Sequence, residues 1–184
     1  LNLSNIGLDP VGLTRLASLF TSETSFTLAI TEIRLDSNPI TGSKYKRGRK
    51  SEGVTEYDCD PSGLVALLEA MKSSTVSKLS IADCDIGPKG LMTSAPLISV
   101  IPAVNEITLD FNPITGSRYK EGGYGRAKKY GVEEYDCDPS GFVALLEAMK
   151  SSAIAKLSIA DCDIGPKSLM TSAPLISVIP ALSE

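Results

Sequence analysis

The stretch Lys78–Leu91, KLSIADCDIGPKGL, returns almost unchanged as Lys156–Leu169, KLSIADCDIGPKSL. Its residues define the frame L-x-I-x-x-C-x-I-x-x-x-G-L, which also fits Leu1–Leu13, Ile33–Ile40 and Ile107–Ile114. Alternating apolar residues predict a short strand. The Asn or Cys that follows predicts a turn toward a helix, because its side chain can satisfy backbone groups there. The chain is therefore predicted to be a stack of five strand-turn-helix repeats.

The repeats differ in length because two of them carry insertions. First strand positions fall at residues 1, 33, 79, 107 and 157, so the steps are 32, 46, 28 and 50 residues. Taking 28 residues as the bare repeat, the excess predicts insertions at 41–58 and 115–136. A larger duplication lies over the repeats, since 33–106 and 107–184 are nearly identical apart from the insertions. Duplicated modules supply the same residues twice, which favours a scaffold over a catalytic centre.

The residue after each strand alternates between Asn and Cys, in the order Asn38, Cys84, Asn112 and Cys162. Repeats of this length, with this slot and an outer helix, resemble leucine-rich repeats of the ribonuclease-inhibitor-like class. The resemblance implies one α/β domain over 1–184, a curved solenoid with parallel strands on the concave face and helices on the convex face. It also implies an intracellular, cytoplasmic protein that holds protein partners on that face and on the loops that rim it.

The outer helices have recognisable starts and breaks. Asp9 as N-cap and Pro10 at the first helical position predict a helix to about Phe20. In the third repeat, Pro96 and Pro102 predict a short or broken helix. The chain starts in mid-repeat and stops where a strand is expected, so we expect a piece of a longer array whose uncapped ends could self-associate.

Each cysteine lies between two aspartates, at 58–60, 83–85, 136–138 and 161–163. If each Cys points inward, the aspartates should point outward and form an acidic strip along one edge. Calcium would suit such a strip, but the oxygen count and turn glycine of a calcium loop are missing. Zinc is disfavoured because the chain has no histidine and no CxxC pair. The sequence therefore predicts no metal and no cofactor, while a Cys59–Cys84 disulfide stays open.

The two insertions contain all six tyrosines and ten of the eighteen Lys and Arg residues. Tyr and Arg are enriched in binding hot spots, and loops on a rigid scaffold commonly carry function. The alternative, equally open, is that the tyrosines dock the loops and the basic residues form a solvated surface. The partner-binding candidates in the insertions are Tyr45, Lys46, Arg47, Arg49, Arg118, Tyr119, Tyr124, Arg126 and Tyr130.

The predicted concave face carries small residues between charged ones. Two carboxylates recur there, Asp36 and Asp110, about two repeats apart. We interpret them as partner-binding candidates. The alternative is that the small residues simply suit a tightly curved sheet.

Several functional classes are disfavoured by the composition. Without histidine the usual general base is missing, and no phosphate loop is present, so we predict that the chain is not an enzyme. No apolar run approaches the roughly 18 residues of a membrane span. A net charge of −4 gives no general attraction to nucleic acid. The runner-up is nevertheless RNA binding through 120–130, KEGGYGRAKKY, which mixes Gly, Tyr and basic residues.

Overall fold

A computed structural model of the chain describes residues 1–21, 29–45, 54–119 and 132–179. These residues form five coils, each built of a strand or extended segment, a turn and a helix. Coil 1 covers 1–21, coil 2 covers 30–76, coil 3 covers 77–104, coil 4 covers 105–154 and coil 5 covers 155–179. The elements follow in the order α1 (Pro10–Thr21), β1 (Glu32–Arg34), β2 (Lys44–Tyr45), β3 (Val54–Glu56), α2 (Ser62–Met71), β4 (Lys78–Ser80), α3 (Pro88–Ile98), β5 (Glu106–Thr108), β6 (Arg118–Tyr119), β7 (Val132–Glu134), α4 (Ser140–Met149), β8 (Lys156–Ser158) and α5 (Pro166–Ile176).

One strand from each of coils 2 to 5 joins a parallel sheet in the order β1-β4-β5-β8. The pairing is in register, so the first strand residues lie side by side. Coil 1 continues the sheet through a parallel bridge between Asn2 and Arg34. The helices pack on the sheet and enclose the leucines and isoleucines that set the repeat frame. The predicted repeat frame and parallel strands are confirmed.

The Asn residues of the slot bind backbone carbonyls of their own turn, as the sequence predicts, and the Asn and Cys residues also join neighbouring coils. Asn112 Oδ1 accepts hydrogen bonds from the backbone N–H groups of Cys84 and Ile86 at 3.1 and 3.0 Å. Its Nδ2 donates to the Ile81 carbonyl at 2.8 Å and to its own coil at Leu109. Asn38 makes the same set of bonds to coil 1. The Asn coils 2 and 4 are therefore tied to the coils that precede them, coil 1 and coil 3.

Two helix predictions have different outcomes. The first helix begins as expected, since Asp9 Oδ1 accepts a hydrogen bond from the Gly12 N–H at 2.7 Å. The break predicted at Pro96 is wrong, because α3 runs unbroken from Pro88 to Ile98. Pro96 has no N–H to donate to the carbonyl of Met92, one turn earlier. Both residues are exposed, so water can donate that hydrogen bond instead.

The prediction of an outward acidic strip is wrong for Asp58, Asp85 and Asp136, which are all buried. Asp58 accepts hydrogen bonds from the N–H groups of Gly87 and Gly90 at 3.1 and 2.8 Å. These groups open α3, so the carboxylate of coil 2 caps the helix of coil 3. Asp136 caps α5 in the same way. The first N–H groups of a helix have no acceptor within the helix. A carboxylate that points inward to accept their hydrogen bonds is therefore favoured over one that points to solvent.

Among the described residues, no helix combines the length and the apolar character that a membrane span requires. All four cysteines are free thiols, so the Cys59–Cys84 disulfide is not formed. Cys84 and Cys162 are buried as predicted, and their thiols donate to the carbonyls of Leu35 and Leu109.

Candidate partner-binding site

We call the exposed side of the parallel sheet the strand face. Its first row alternates in charge along the sheet, because the register places Glu32, Lys78, Glu106 and Lys156 side by side. Lys78 pairs with Glu106 at 3.0 Å, and Arg34 pairs with Glu32 at 2.6 Å. Such exposed pairs contribute little stability. Their effect is to neutralise this row, so the strand face is not a patch of one sign.

Asp36 and Asp110 lie at the other end of the strands and are held rigidly. Asp36 Oδ1 accepts hydrogen bonds from the Ser80 hydroxyl at 2.6 Å and the Ala82 N–H at 3.0 Å. Asp110 Oδ1 accepts the same two bonds from Ser158 and Ala160, at 2.6 and 2.8 Å. Each carboxylate thus spans two coils. Within the described part of the chain, the second oxygen of each accepts no hydrogen bond.

The two carboxylates border one groove. They lie on coils 2 and 4, two strand spacings apart, which corresponds to about 10 Å. Between them the sheet forms a groove of about 370 Å³ whose floor includes Leu79, Ser80 and Thr108. The structure therefore brings Asp36 and Asp110 to a common surface, with one oxygen of each available to a ligand.

The bases of the two insertions are short antiparallel hairpins, β2–β3 and β6–β7. The Tyr45 hydroxyl donates to Asp85 Oδ2 of the next coil at 2.8 Å, and the ring is half-buried. Burial raises the pKa of Tyr45, and the charge of Asp85 adds to that shift. Tyr45 therefore fixes its hairpin to the scaffold. Arg118 is exposed and faces Glu134 at 3.6 Å across the second hairpin.

The structure describes one further candidate residue of the insertions. Tyr119 is the second residue of β6. The other six lie outside the described residues: Lys46, Arg47, Arg49, Tyr124, Arg126 and Tyr130. The RNA-binding segment 120–130 lies outside them as well.

Phe111 is a residue that the sequence reasoning did not single out. It follows Asp110 directly, is 41% exposed, and has a positive φ of 60°. A bulky residue rarely adopts this left-handed conformation, which costs of the order of 1 kcal/mol. The matching residue of coil 2 is Ser37, also with positive φ. The mismatch between Ser37 and Phe111 in otherwise matching segments was the available signal.

Metal binding has no support in this geometry. Among residues 1–21, 29–45, 54–119 and 132–179, no group of three or more His, Cys, Asp or Glu side chains could hold an ion. Of the buried aspartates, Asp58 and Asp136 bind the N–H groups of helix starts, and Asp85 accepts a hydrogen bond from Tyr45. What the strand face offers is a rigid sheet with fixed acceptors, beside which the ring of Phe111 is 41% exposed.

Comparison with known proteins gives one family and a fold. A family model described as "Leucine Rich repeat" matches residues 72–93, and no curated protein matches the sequence. Among solved structures, Leiomodin-1 Actin-Binding Site 2 is similar with a TM-score of 0.54 and 17% identity, over 92% of this chain and 73% of that one. At that identity the likeness concerns the fold. The matched repeat and the shared fold together support a leucine-rich-repeat protein.

Proposed function

We propose that this chain is a non-catalytic protein-interaction module that binds its partner on the strand face, with Asp36 and Asp110 as the central acceptors. In this proposal the array is a curved solenoid of the ribonuclease-inhibitor-like class, works in the cytoplasm and serves as a scaffold. The absence of histidine from the whole sequence supports a non-catalytic role.

The single observation that carries the proposal concerns Asp36 and Asp110. In each, one carboxylate oxygen is hydrogen-bonded to the neighbouring coil and the other is available to a partner. Two hydrogen bonds from the neighbouring coil fix each side chain, so a partner does not have to order it on binding. A carboxylate oxygen that remains available is a strong acceptor for Arg, Lys or backbone N–H groups. The partner chemistry is therefore a segment with two basic groups about 10 Å apart. A helix with basic residues seven positions apart meets that spacing.

Phe111 adds an apolar contact at one end of the acceptor pair. An exposed aromatic ring beside a fixed carboxylate is the composition of an interface anchor. Coil 2 has Ser37 at the matching position, so this aromatic contact is confined to coil 4.

The test is affinity capture from an extract of the source cell with the variant Asp36→Asn/Asp110→Asn. Asn keeps the Oδ1 that accepts from the serine hydroxyl and the backbone N–H, but replaces the second oxygen with a donor. The fold should therefore persist while the partner is lost. Glu69→Gln/Glu147→Gln makes the same charge change on the helix side, at exposed residues that pair with Lys72 and Lys150. It should retain the partner.

Three outcomes separate this site from others. Retention of the partner by the Asp36→Asn/Asp110→Asn variant would refute the strand face as the site. Loss only in a variant with Arg47, Arg49, Tyr124 and Arg126 changed to Ser would move binding to the insertions, and nuclease sensitivity of the captured material would indicate RNA. Co-sedimentation with actin filaments tests whether this chain shares the ligand of the leiomodin domain.

A further inference from the structure

The two acceptors of the strand face have the same hydrogen bonds but different neighbours. Each uses its Oδ1 to accept from one serine hydroxyl and one backbone N–H of the following coil. The coil 2 half-site consists of Asp36, Arg34 and Ser37, and the coil 4 half-site consists of Asp110, Thr108 and Phe111. Because the two carboxylates are held alike, any preference for one basic side chain over another has to come from the residues beside them.

The coil 2 half-site carries a positive charge of its own. Arg34 stands two residues before Asp36, and both side chains line the groove of the strand face. The hydrogen bond and the charge of Glu32 raise the pKa of Arg34, and the charge of Asp36 adds to that shift. The Ser37 hydroxyl donates to Asp83 of coil 3 at 2.9 Å, so this side chain is used in joining coils. A partner cation that approaches Asp36 is therefore repelled by Arg34.

The coil 4 half-site has an aromatic ring and no cation. Thr108 takes the place of Arg34, and Phe111 takes the place of serine. The Phe111 N–H donates to the Ala160 carbonyl at 2.9 Å, and Asp110 Oδ1 accepts from the Ala160 N–H at 2.8 Å. Carboxylate and ring are thus anchored to the same residue of coil 5. The ring is 41% exposed, so its surface is accessible to a side chain that binds the carboxylate.

A carboxylate beside an exposed ring suits arginine better than lysine. The planar guanidinium can donate to a carboxylate oxygen through several N–H groups while its face stacks on an aromatic ring. The lysine ammonium is a compact and strongly hydrated charge, so it gains less from the ring. The coil 2 half-site, which has no aromatic residue, gives no such advantage to arginine.

We propose that the coil 4 half-site is a binding site for an arginine side chain of the partner, which donates to the available oxygen of Asp110 and lies against the ring of Phe111. The coil 2 half-site accepts the second basic group of the partner, arginine or lysine alike. This inference rests on the proposed function, because it takes the strand face as the surface that the partner occupies.

Two labelled alanine-based helical peptides test the proposal by fluorescence anisotropy against the whole chain. Each carries two basic residues seven positions apart, both arginine in one peptide and both lysine in the other, which spaces them by about 10 Å. We expect saturable binding, about two- to fivefold tighter for the arginine peptide. Phe111→Ser should abolish this preference, and Phe111→Tyr should keep it because the ring face remains. Ser37 occupies the matching position of coil 2, so the fold should tolerate serine, which circular dichroism checks.

The matched control is Arg34→Thr, which gives the coil 2 half-site the residue that Thr108 supplies to coil 4. It removes a repelling charge, so it should strengthen the binding of both peptides and leave the preference for arginine unchanged. Absence of binding, equal binding of the two peptides, or a preference that Phe111→Ser retains would overturn the arginine site.

The variant Asp36→Asn/Asp110→Asn separates this inference from the proposed function. If that variant loses both peptides while Phe111→Ser keeps the preference, the arginine site is wrong and the strand face remains the binding surface. If that variant binds both peptides as the unchanged chain does, the carboxylates are not the acceptors and both proposals are wrong.

Discussion

Coil 3 and coil 5 present nearly the same residues in the same backbone path, yet one is core and the other is surface. Leu91 is fully buried and Leu169 is 53% exposed, although they occupy the same position in the matching helices α3 and α5. The difference arises entirely from coil 4, which follows coil 3. In this molecule the environment of a residue is therefore set by the neighbouring coil as much as by its own sequence.

The capping aspartates show the same effect in their electrostatics. Burial raises the pKa of Asp58, and the hydrogen bonds from Gly90 and Gly87 only partly oppose it. For Asp136 burial also acts upward, but hydrogen bonds from Ser168 and Gly165 outweigh it and lower the pKa. Both side chains are shielded from solvent, but fewer protein atoms surround Asp136, since no described coil covers coil 5. Matching side chains thus shift in opposite directions.

The largest effect is expected from removing the asparagine that completes coil 3. Asn112→Ala leaves the N–H groups of Cys84 and Ile86 and the Ile81 carbonyl without partners in a dry junction. At about 1–3 kcal/mol for each such group, the free energy of unfolding should fall by about 4 kcal/mol. Urea denaturation followed by circular dichroism measures it. Asn105→Ala, at an exposed residue of the same coil, is the control, and an equal loss in both variants would contradict the role given to Asn112.

A smaller but cleaner difference is expected from one leucine in its two settings. Leu91→Ala should lower the free energy of unfolding by about 2–5 kcal/mol, because it removes buried methyl groups and leaves a cavity. Leu169→Ala should cost about 1 kcal/mol or less, because the side chain is half in water. The same denaturation experiment compares them. Similar losses for the two variants would mean that the side chain of Leu169 is covered in solution.

The smallest effect concerns pH. Carboxyl NMR titration should give Asp58 a pKa above the ordinary aspartate value and Asp136 a pKa below it. By linkage, the contribution of Asp58 is present at low pH and lost as the pH rises through its folded pKa. The contribution of Asp136 has the opposite sign, since it is present above the unfolded pKa and lost as the pH falls through its folded pKa. Equal pKa values at the two sites would remove this part of the contrast.

The sequence predicted the features that a short local pattern specifies. The Asn and Cys slots, the parallel strands and the Asp9 cap follow from local hydrogen-bonding needs that the frame states directly. The closeness of Asp36 to the next strand was not predictable, because its partners, Ser80 and Ala82, lie 44 and 46 residues away along the chain.

The prediction that the aspartates point outward was wrong because it assumed the wrong backbone conformation. An outward strip assumes extended chain, in which neighbouring side chains alternate between the two faces. Asp58, Asp85 and Asp136 instead have φ values of 54° to 56°, in the left-handed region. The alternation therefore ends before these residues. Asp58 and Asp136 accept hydrogen bonds at the helix start of the next coil, and Asp85 accepts one from the Tyr45 hydroxyl. No apolar pattern in the sequence marks that change of conformation.

The capping of one coil's helix by another coil's aspartate has a consequence for how such a chain can gain or lose length in evolution. Asp58 belongs to coil 2 and Asn112 to coil 4, yet both complete coil 3. Loss of coil 3 alone, for example, would bring the two Asn coils, 2 and 4, into contact. Asp58 would then lose the N–H groups of α3, and Asn112 would lose those of Cys84 and Ile86. Loss of 33–106 as a block would bring Asn112 to the position that Asn38 holds against coil 1. A pair of coils is therefore the unit whose loss would preserve these junctions.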